Sequence, residues 1–263
     1  MTFIEELEIL GGTDARGNRE PVESLRLRMG DVLSIVGPTG SGKSTLIEDI
    51  ELLADGATGT GRTILVNGAL PSPELRDDPS CHPVALITQH TSFLCDLPVD
   101  EFLRLHATIR AHQDGSPDDA VAATLAFANE LTGEPVIPSS RMTELSGGQT
   151  RALLIADAVV IGSAPIVLLD EIENAGIDRL RALELLRLHR KIYVFVTHDP
   201  TIALESDSRL VMAGGAMVAL QTTSPGERRL ARRIRRVDGL LLDLRERLRR
   251  GEHLATELGG LRP

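Results

Sequence analysis

The run from Gly37 to Thr45 reads GPTGSGKST and matches the pattern G-x-x-x-x-G-K-[S/T]. The residues before it, 32–36, are apolar and β-branched like a buried strand, and residues 45–53 have helical spacing. A glycine-rich loop between a strand and a helix lets backbone N–H groups curl around a polyphosphate at the positive end of the helix. Lys43 adds a charge for the terminal phosphates, and Ser44 a hydroxyl for Mg²⁺. The predicted phosphate site comprises Gly37, Pro38, Thr39, Gly40, Ser41, Gly42, Lys43, Ser44 and Thr45.

Composition argues against nucleic acid as a partner. The formal net charge is −10, and the chain has no Trp and a single Tyr, so side chains that stack on bases are scarce. Of the 28 basic residues only Lys43 and Lys191 are lysine, so the chain uses arginine almost everywhere else. The loop therefore contains a compact ammonium group and not the planar guanidinium that the rest of the chain prefers. Residues 225–263 hold 11 Arg and 6 acidic residues, so this tail is basic while the rest of the chain is acidic.

Cysteine usage and hydropathy favour a cytoplasmic protein without an integral membrane segment. Cys81 and Cys95 are the only cysteines, and the chain starts without a signal-peptide pattern, which suits a reducing compartment. The most apolar region, residues 152–169, is interrupted by Asp157 and Pro165 and therefore predicts a core helix and strand.

The order of elements predicts a large α/β domain with an antiparallel part and a helical insertion. Buried strands alternate with helices around the glycine-rich loop, and an antiparallel ribbon comes first. Between about 93 and 145 the pattern changes to helices, which predicts a helical lobe. The predicted elements are strands 3–10, 22–29, 63–66, 84–88, 166–169 and 192–196, helices 117–131, 150–161 and 177–189, a loop over 71–83 and a hairpin over 209–220.

Polar side chains stand at the carboxyl ends of the predicted parallel strands. One strand ends in Asp170 and Glu171, the next in His198, and an earlier one in Gln89. Ligands in open α/β sheets bind outside these strand ends, so the side chains should lie beside the loop that contains Lys43. Asp170 can then hold Mg²⁺ through water, and Glu171 can orient and polarise an attacking water.

The stretch LSGGQ completes a pattern that closely resembles an ATP-binding cassette (ABC) ATPase, of the nucleotide-binding type found in transporters. The resemblance covers about residues 1–222 and implies a P-loop core, an antiparallel β-subdomain and Mg²⁺-dependent ATP hydrolysis. It implies that Gln89 touches Mg²⁺ and water, that Glu171 is the catalytic carboxylate and that His198 senses the γ-phosphate. Implied metal ligands are Ser44, Gln89 and Asp170, and the signature residues are Leu145, Ser146, Gly147, Gly148 and Gln149.

The signature forms a second phosphate half-site. Ser146 precedes a predicted helix and can cap it, which makes an anion site at the helix N-terminus. In the family each nucleotide lies between the P-loop of one subunit and the signature of the other. A two-fold homodimer around two ATP is therefore the economical assembly, and a heterodimer is the alternative.

Two stretches depart from the family pattern. The family has an aromatic ring upstream of the P-loop that stacks on adenine, but residues 11–19 contain none, so the guanidinium plane of Arg16 or Arg19 is expected to stack instead. The loop after the catalytic carboxylate, residues 172–178, is one residue longer than in the family.

Residues 223–263 predict an Arg-rich helical tail. Ser224 and Glu227 form a capping box with Pro225 at the first helical position. Packing on the chain's own core, pairing with a twin or partner helix, and binding to anionic lipid or nucleic acid are the three interpretations. The apolar residues that follow at steps of four and three are Leu230, Ile234, Val237, Leu241, Leu244 and Leu248.

The resemblance predicts a transporter ATP-binding protein whose partner is a membrane permease. Residues 93–103, after Gln89, have the layout with which transporter subunits grip that partner. The location would then be the cytoplasm, at the inner face of the cell membrane. The alternative is a soluble ATPase that remodels or reactivates a client enzyme or acts on nucleic acid, and a sensor without turnover is disfavoured because the catalytic residues are all present.

Overall fold

The computed structural model of the protein describes residues 4–110, 116–162, 164–171 and 179–252. Its strands and helices follow the predicted order, with two short additional α-helices and a 3-10 helix at Met142–Glu144. The strands are β1 (Glu6–Leu10), β2 (Ser24–Arg28), β3 (Val32–Val36), β4 (Thr63–Val66), β5 (Val84–Ile87), β6 (Ile166–Asp170), β7 (Ile192–Val196), β8 (Ser208–Ala213) and β9 (Ala216–Thr222). The helices are α1 (Lys43–Glu51), α2 (Pro73–Asp77), α3 (Val99–Ile109), α4 (Pro117–Leu131), α5 (Gly147–Val160), α6 (Arg179–Leu188), α7 (Pro200–Glu205) and α8 (Pro225–Arg249).

The strands form two sheets. A three-stranded antiparallel sheet has the order β2-β1-β4, and a six-stranded sheet has the order β5-β6-β7-β3-β8-β9. In the larger sheet every neighbouring pair up to β8 is parallel, and β9 returns antiparallel along β8. Because β6, β7 and β3 are adjacent, the segments after their carboxyl ends meet at one edge of the sheet.

The larger sheet separates two layers of core. Val167, Leu169 and Tyr193 pack on the side of helices α3 to α7, whereas Ile166 and Leu168 pack on the side of the small sheet and α1. This division follows from the period of two in a strand, which sends successive side chains to opposite faces. Strands buried on both faces must be apolar at every position, which is why the sequence of β6 and β7 is continuous in apolar residues.

A buried ion-pair cluster joins the small sheet to α1. Arg62 is fully buried, and its guanidinium donates to Glu20 Oε1 at 2.6 Å, to Asp49 Oδ2 at 3.0 Å and to the carbonyl of Gly215 at 2.7 Å. Burial alone raises the pKa of Glu20, but the hydrogen bonds from Arg62 and from two backbone N–H groups outweigh it, so this pKa lies below its usual value. The cluster therefore depends on all three charges being present.

The structure corrects three details of the expected secondary structure. The loop predicted over 71–83 contains α2, which Ser72 caps by accepting a hydrogen bond from Leu75 N. Helix α5 begins at Gly147 and not at residue 150, because Ser146 is its N-cap. Helix α7 was not predicted, although Asp199 followed by Pro200 is a start signal. The lengthened loop at 172–178 lies outside the described residues.

Candidate functional site

The backbone of the glycine-rich loop has a shape that only glycine permits. Gly42, the N-cap of α1, has φ 94°, and a Cβ there would stand 2.9 Å from Gly215 Cα. At Gly37 a Cβ would stand 2.4 Å from the carbonyl oxygen of Met212. The loop is thus packed against the β8–β9 hairpin, to which the carbonyl of Ser41 is also joined by a hydrogen bond from Gly215 N at 3.0 Å.

The ammonium group of Lys43 is held in place by the backbone of the glycine-rich loop. Lys43 Nζ donates to the carbonyl oxygens of Gly37 at 2.9 Å and Pro38 at 3.1 Å. An ammonium has three donors, so one remains for an anion bound in the loop. Ser44 and Thr45, in the first turn of α1, are exposed. The loop therefore presents a fixed positive charge and two hydroxyl groups at the start of a helix.

The two strand-end residues expected to act on water lie next to each other. Glu171 follows β6, and its N–H donates to the carbonyl of Val196 at 3.1 Å, which extends the pairing with β7 by one residue. His198 Nε2 lies 3.5 Å from Glu171 Oε1. Glu171 also has φ 50°, a conformation that costs a non-glycine residue about 1–3 kcal/mol and that clusters at functional sites.

Hydrogen bonds hold the backbone on both sides of His198. Thr197 N donates to the carbonyl of Ile35 in β3 at 3.2 Å, which ties this segment to the strand that leads into the P-loop. On the other side Asp199 accepts from Thr201 N at 2.6 Å and so caps α7. His198 itself is half exposed. The imidazole is therefore carried on a rigid connection beside β3.

The signature begins a helix with a complete capping box. Ser146 Oγ accepts from Gln149 N at 3.3 Å, and Gln149 Oε1 accepts from Ser146 N at 2.9 Å. Gln149 Nε2 also donates to the carbonyl of Pro135 at 3.0 Å. Ser146 and Gly147 are exposed, so the N-terminal end of α5 is accessible to an anion.

Gln89 lies in the loop after β5 and is exposed. Its carbonyl accepts a hydrogen bond from the guanidinium of Arg151, in the second turn of α5. The segment that follows is tied to the same region, because Asp96 pairs with Arg141 at 2.8 Å and accepts from Thr143 Oγ1 at 2.6 Å. The loop that carries Gln89 and the signature helix are thus joined directly.

A cleft lined by polar and apolar residues lies against the β8–β9 hairpin, where the nucleotide base is expected. Its volume is about 490 Å³. The turn that carries Arg16 is anchored to the β8–β9 hairpin by a hydrogen bond from Ala15 N to the carbonyl of Gly214 at 3.2 Å, and that hairpin contacts the P-loop. The lining residues, none of them aromatic, are Asp14, Arg16, Asn18, Arg19, Pro21, Ala213, Gly214, Ala216 and Val218.

A family model described as ABC transporter matches residues 23–174. The chain belongs to the ABC transporter family. It is 47% identical over 255 residues to an uncharacterized ABC transporter ATP-binding protein of Methanocaldococcus jannaschii, covering 97% of this chain and 96% of that protein. It is 27% identical over 232 residues to the lipoprotein-releasing system ATP-binding protein LolD of Anaplasma marginale, covering 84% of this chain and 100% of LolD.

The solved structures show the same fold. A dimeric ATP-binding cassette in a post-hydrolysis state, bound to ADP and phosphate, superposes with a TM-score of 0.61 at 21% identity, over 83% of this chain and 99% of that one. The α/β P-loop fold of an ABC ATP-binding subunit, predicted from the sequence, is confirmed. None of the helices in the described part of the chain has the length and apolar character needed to cross a membrane.

The oxygen-bearing side chains of this ABC subunit suit Mg²⁺. The candidates are the hydroxyl of Ser44, the amide of Gln89 and the carboxylate of Asp170, all hard donors. Within the described residues no three His, Cys, Asp or Glu side chains form a metal cluster. A Mg²⁺ ion that binds together with a nucleotide takes few carboxylate ligands and completes its shell with water and substrate phosphates.

Sequence reasoning missed several contacts that support these residues. The hydrogen bond from Arg151 to Gln89, the pairing of Asp96 with Arg141, and the Arg62 cluster all join segments far apart in the chain. A lone Arg or Asp carries no signal about which distant residue it meets. The excess of Arg over Lys was the one available hint, since arginine is favoured where an ion pair is buried or bidentate.

Proposed function

We propose that this ABC subunit binds ATP with Mg²⁺ and hydrolyses it at composite sites between two copies of the chain, and that the hydrolysis drives a membrane permease. The observation that carries the proposal is the pair Glu171 and His198, 3.5 Å apart at adjacent strand ends, beside the strand that leads into the P-loop. A carboxylate at this place can accept hydrogen bonds from a water molecule and align it with the γ-phosphate.

The proposed roles follow from what each group can donate or accept. The backbone N–H groups at the start of α1 and the ammonium of Lys43 bind the phosphates, and Lys43 gains a phosphate oxygen with its remaining donor. His198 donates to the γ-phosphate, and Glu171 orients the water. Bound Mg²⁺, held by Ser44, Gln89 and Asp170, would neutralise the charge that develops on the phosphate oxygens.

Replacement of the carboxylate tests the catalytic proposal. The change Glu171→Gln should leave ATP binding intact and lower the steady-state rate about a hundredfold or more, because an amide orients water poorly and cannot take a proton. Glu134→Gln, which changes an exposed carboxylate in the loop after α4, is the control and should hydrolyse ATP normally. A near-normal rate for Glu171→Gln would exclude its role.

The signature is proposed to complete the site of the second copy. Ser146 is exposed and caps α5, which packs on α4 in the helical lobe. Ser146→Arg places a cation and a bulky side chain at the helix N-terminus, so its ATPase rate should fall as far as that of Glu171→Gln although Lys43, Asp170 and Glu171 are unchanged. Ser139→Arg, another exposed serine, is the control.

A permease is proposed to dock on the segment after Gln89. Leu94 is 98% exposed, while its neighbours Phe93 and Cys95 pack against the core, which fixes the segment with an apolar side chain outward. Through Arg151 and Arg141 this segment is joined to the signature helix, so a load on it can reach the site. The 47% identical relative is named as an ABC transporter ATP-binding protein, which supports a partner that belongs to a transporter.

Leu94→Asp tests the permease proposal. This variant should keep its basal ATPase rate in isolation and lose co-purification with a membrane protein encoded beside it. Leu188→Asp makes the same change at another leucine, 75% exposed, elsewhere on the surface and should keep that association. Retention of a soluble client by both variants, without any membrane protein, would favour the alternative of a remodelling ATPase, for which the Arg-rich α8 offers a basic surface.

A further inference from the structure

Helix α8 is attached to the core through one face. Ala231 is fully buried, and Asp238 accepts from Thr201 Oγ1 in α7 at 3.2 Å. Arg235 donates to Glu184 at 3.1 Å and to Glu205 at 3.3 Å. This face is made of a small residue and paired charges, so little of the apolar surface of α8 is used for the attachment.

The apolar side chains of α8 lie on a different face, here named the leucine stripe and defined by residues 230, 234, 237, 241, 244 and 248. Leu230, Val237, Leu241 and Leu248 are between 46% and 60% exposed, and Leu240 beside them is 49% exposed. At about 100° per residue the stripe is centred about 110° from the core-facing residues. A continuous exposed apolar patch of this kind marks an interaction site.

The spacing of the leucine stripe reads the same in both directions. Its steps are 4, 3, 4, 3 and 4, so each member has a counterpart at the same distance on the other side of Gly239. When two such helices run antiparallel, position 230 meets 248, 234 meets 244, and 237 meets 241, each layer pairing an a position with a d position. Such a surface is self-complementary, as a two-fold interface requires.

We propose that the leucine stripe binds the same stripe of a second copy of this chain in an antiparallel pair centred on Gly239. Leu240 lies on the open flank near the centre and meets Leu240 of the second copy. On the same flank Arg233 would lie opposite Arg247 of the second copy. Within each chain Arg247 pairs with Glu252 at 2.9 Å, so the carboxylate of Glu252 would lie near both arginines.

A second copy suits this face better than a lipid surface does. A helix that lies flat on anionic lipid has a polar face rich in basic side chains that is free to meet the headgroups. Over residues 229–238 one border carries the exposed Arg229, Arg233 and Arg236, but the other carries Ala231 and Asp238, which pack against the core. The mirrored spacing of the stripe matters only for pairing with an identical antiparallel helix, because a lipid surface has no fixed positions to match.

This interface would be separate from the ATP-dependent one. It uses none of the P-loop or signature residues and would hold two chains together without nucleotide. Tethering raises the effective concentration of the second copy, to the millimolar range for short connections, so closure around ATP would no longer depend on chance encounter.

Mass measurement of the full chain in nucleotide-free buffer is the first test. The wild type and Arg232→Glu, a charge change on α8 outside the stripe, should be dimers. Val237→Glu and Leu241→Glu should weaken the dimer about tenfold or more, because central apolar contacts carry most of the affinity. A wild-type monomer would overturn the proposal. The stripe would then be covered by another partner, such as residues 253–263 of the same chain, or an anionic lipid surface if the monomer sediments with anionic vesicles.

Cysteine cross-linking tests the direction of the pair. In a chain with Cys81→Ser and Cys95→Ser, the variants Leu230→Cys and Leu248→Cys should form a disulfide with each other when mixed and not when alone. Leu240→Cys should cross-link to its own twin. A disulfide between two copies of Leu230→Cys would indicate parallel helices. An equal disulfide yield for Arg232→Cys would indicate random collision. Either result would overturn the antiparallel pair.

Discussion

The ion-pair cluster around Arg62 provides a sharp prediction about stability. The change Arg62→Met keeps most of the side-chain volume but leaves Glu20 and Asp49 buried without their cation. Breaking a buried ion pair by removing one partner costs about 3–5 kcal/mol, and here two carboxylates lose the same partner. Since domains are stable by about 5–15 kcal/mol, we expect a loss of about 4 kcal/mol, a large share of the total.

Urea denaturation measures this loss as a shift of the midpoint at constant slope. Arg104→Met is the matched control, because Arg104 pairs with Asp118 at 3.0 Å while both side chains remain exposed, and its removal should change the midpoint little. A loss below about 1 kcal/mol for Arg62→Met would refute the argument, since the buried carboxylates would then be compensated by other groups.

The pH dependence of the same variant follows from the pKa of Glu20. This pKa is lower in the folded chain than its usual value of 4.5, so Glu20 contributes stability above pH 4.5 that is lost as the pH falls through the folded-state pKa. The difference in unfolding free energy between wild type and Arg62→Met should therefore shrink below pH 4.5. A difference that stays constant into acid would mean that Arg62 does not stabilise the Glu20 carboxylate.

Two further predictions concern the nucleotide base and a buried lysine. If a guanidinium replaces the missing aromatic ring, base stacking contributes at most about 1–3 kcal/mol, so ATP and GTP should bind with similar affinity, and Arg16→Ala or Arg19→Ala should weaken ATP further than the control Arg28→Ala. Nucleotide titrations decide this, and a hundredfold ATP preference unchanged in both variants would contradict it. Lys191 donates to the carbonyls of Ala158 and Gly162 at the end of α5, and burial lowers its pKa to about 8. Because the unfolded chain then binds more protons between pH 8 and 10, the wild type should gain stability relative to Lys191→Met over that range, and parallel pH curves for the two proteins would contradict this.

The elements that are determined by residues close together in the sequence could be predicted from the sequence. The strand before Gly37, the helix after it and the apolar strands ending at Asp170 and Val196 depend on short runs of neighbours, and their order determines the fold. The capping residue Ser146 was also visible in sequence, although the helix it starts was placed three residues too late.

Contacts between distant segments could not be predicted in the same way. Arg62 meets Glu20 and Asp49 only after the small sheet has docked on α1, and nothing in their spacing specifies this. The apolar spacing of α8 could be read from the sequence, but the face that packs on the core could not be predicted. That face is formed by Ala231 and by charged residues whose partners lie in other helices. Periodicity reports an apolar face without reporting what covers it.

Complementation between two inactive variants tests the central claim, a site shared by two copies. Lys43→Ala lacks a working P-loop and Ser146→Arg a working signature, so each alone should hydrolyse ATP at a few per cent of the wild-type rate or less. Mixed in equal amounts and allowed to exchange subunits, half of the dimers are mixed, and each mixed dimer holds one intact site, formed by the P-loop of the Ser146→Arg copy and the signature of the Lys43→Ala copy. The account predicts recovery of up to about a quarter of the wild-type rate. A rate no higher than the mean of the two separate variants, with exchange verified, would contradict it.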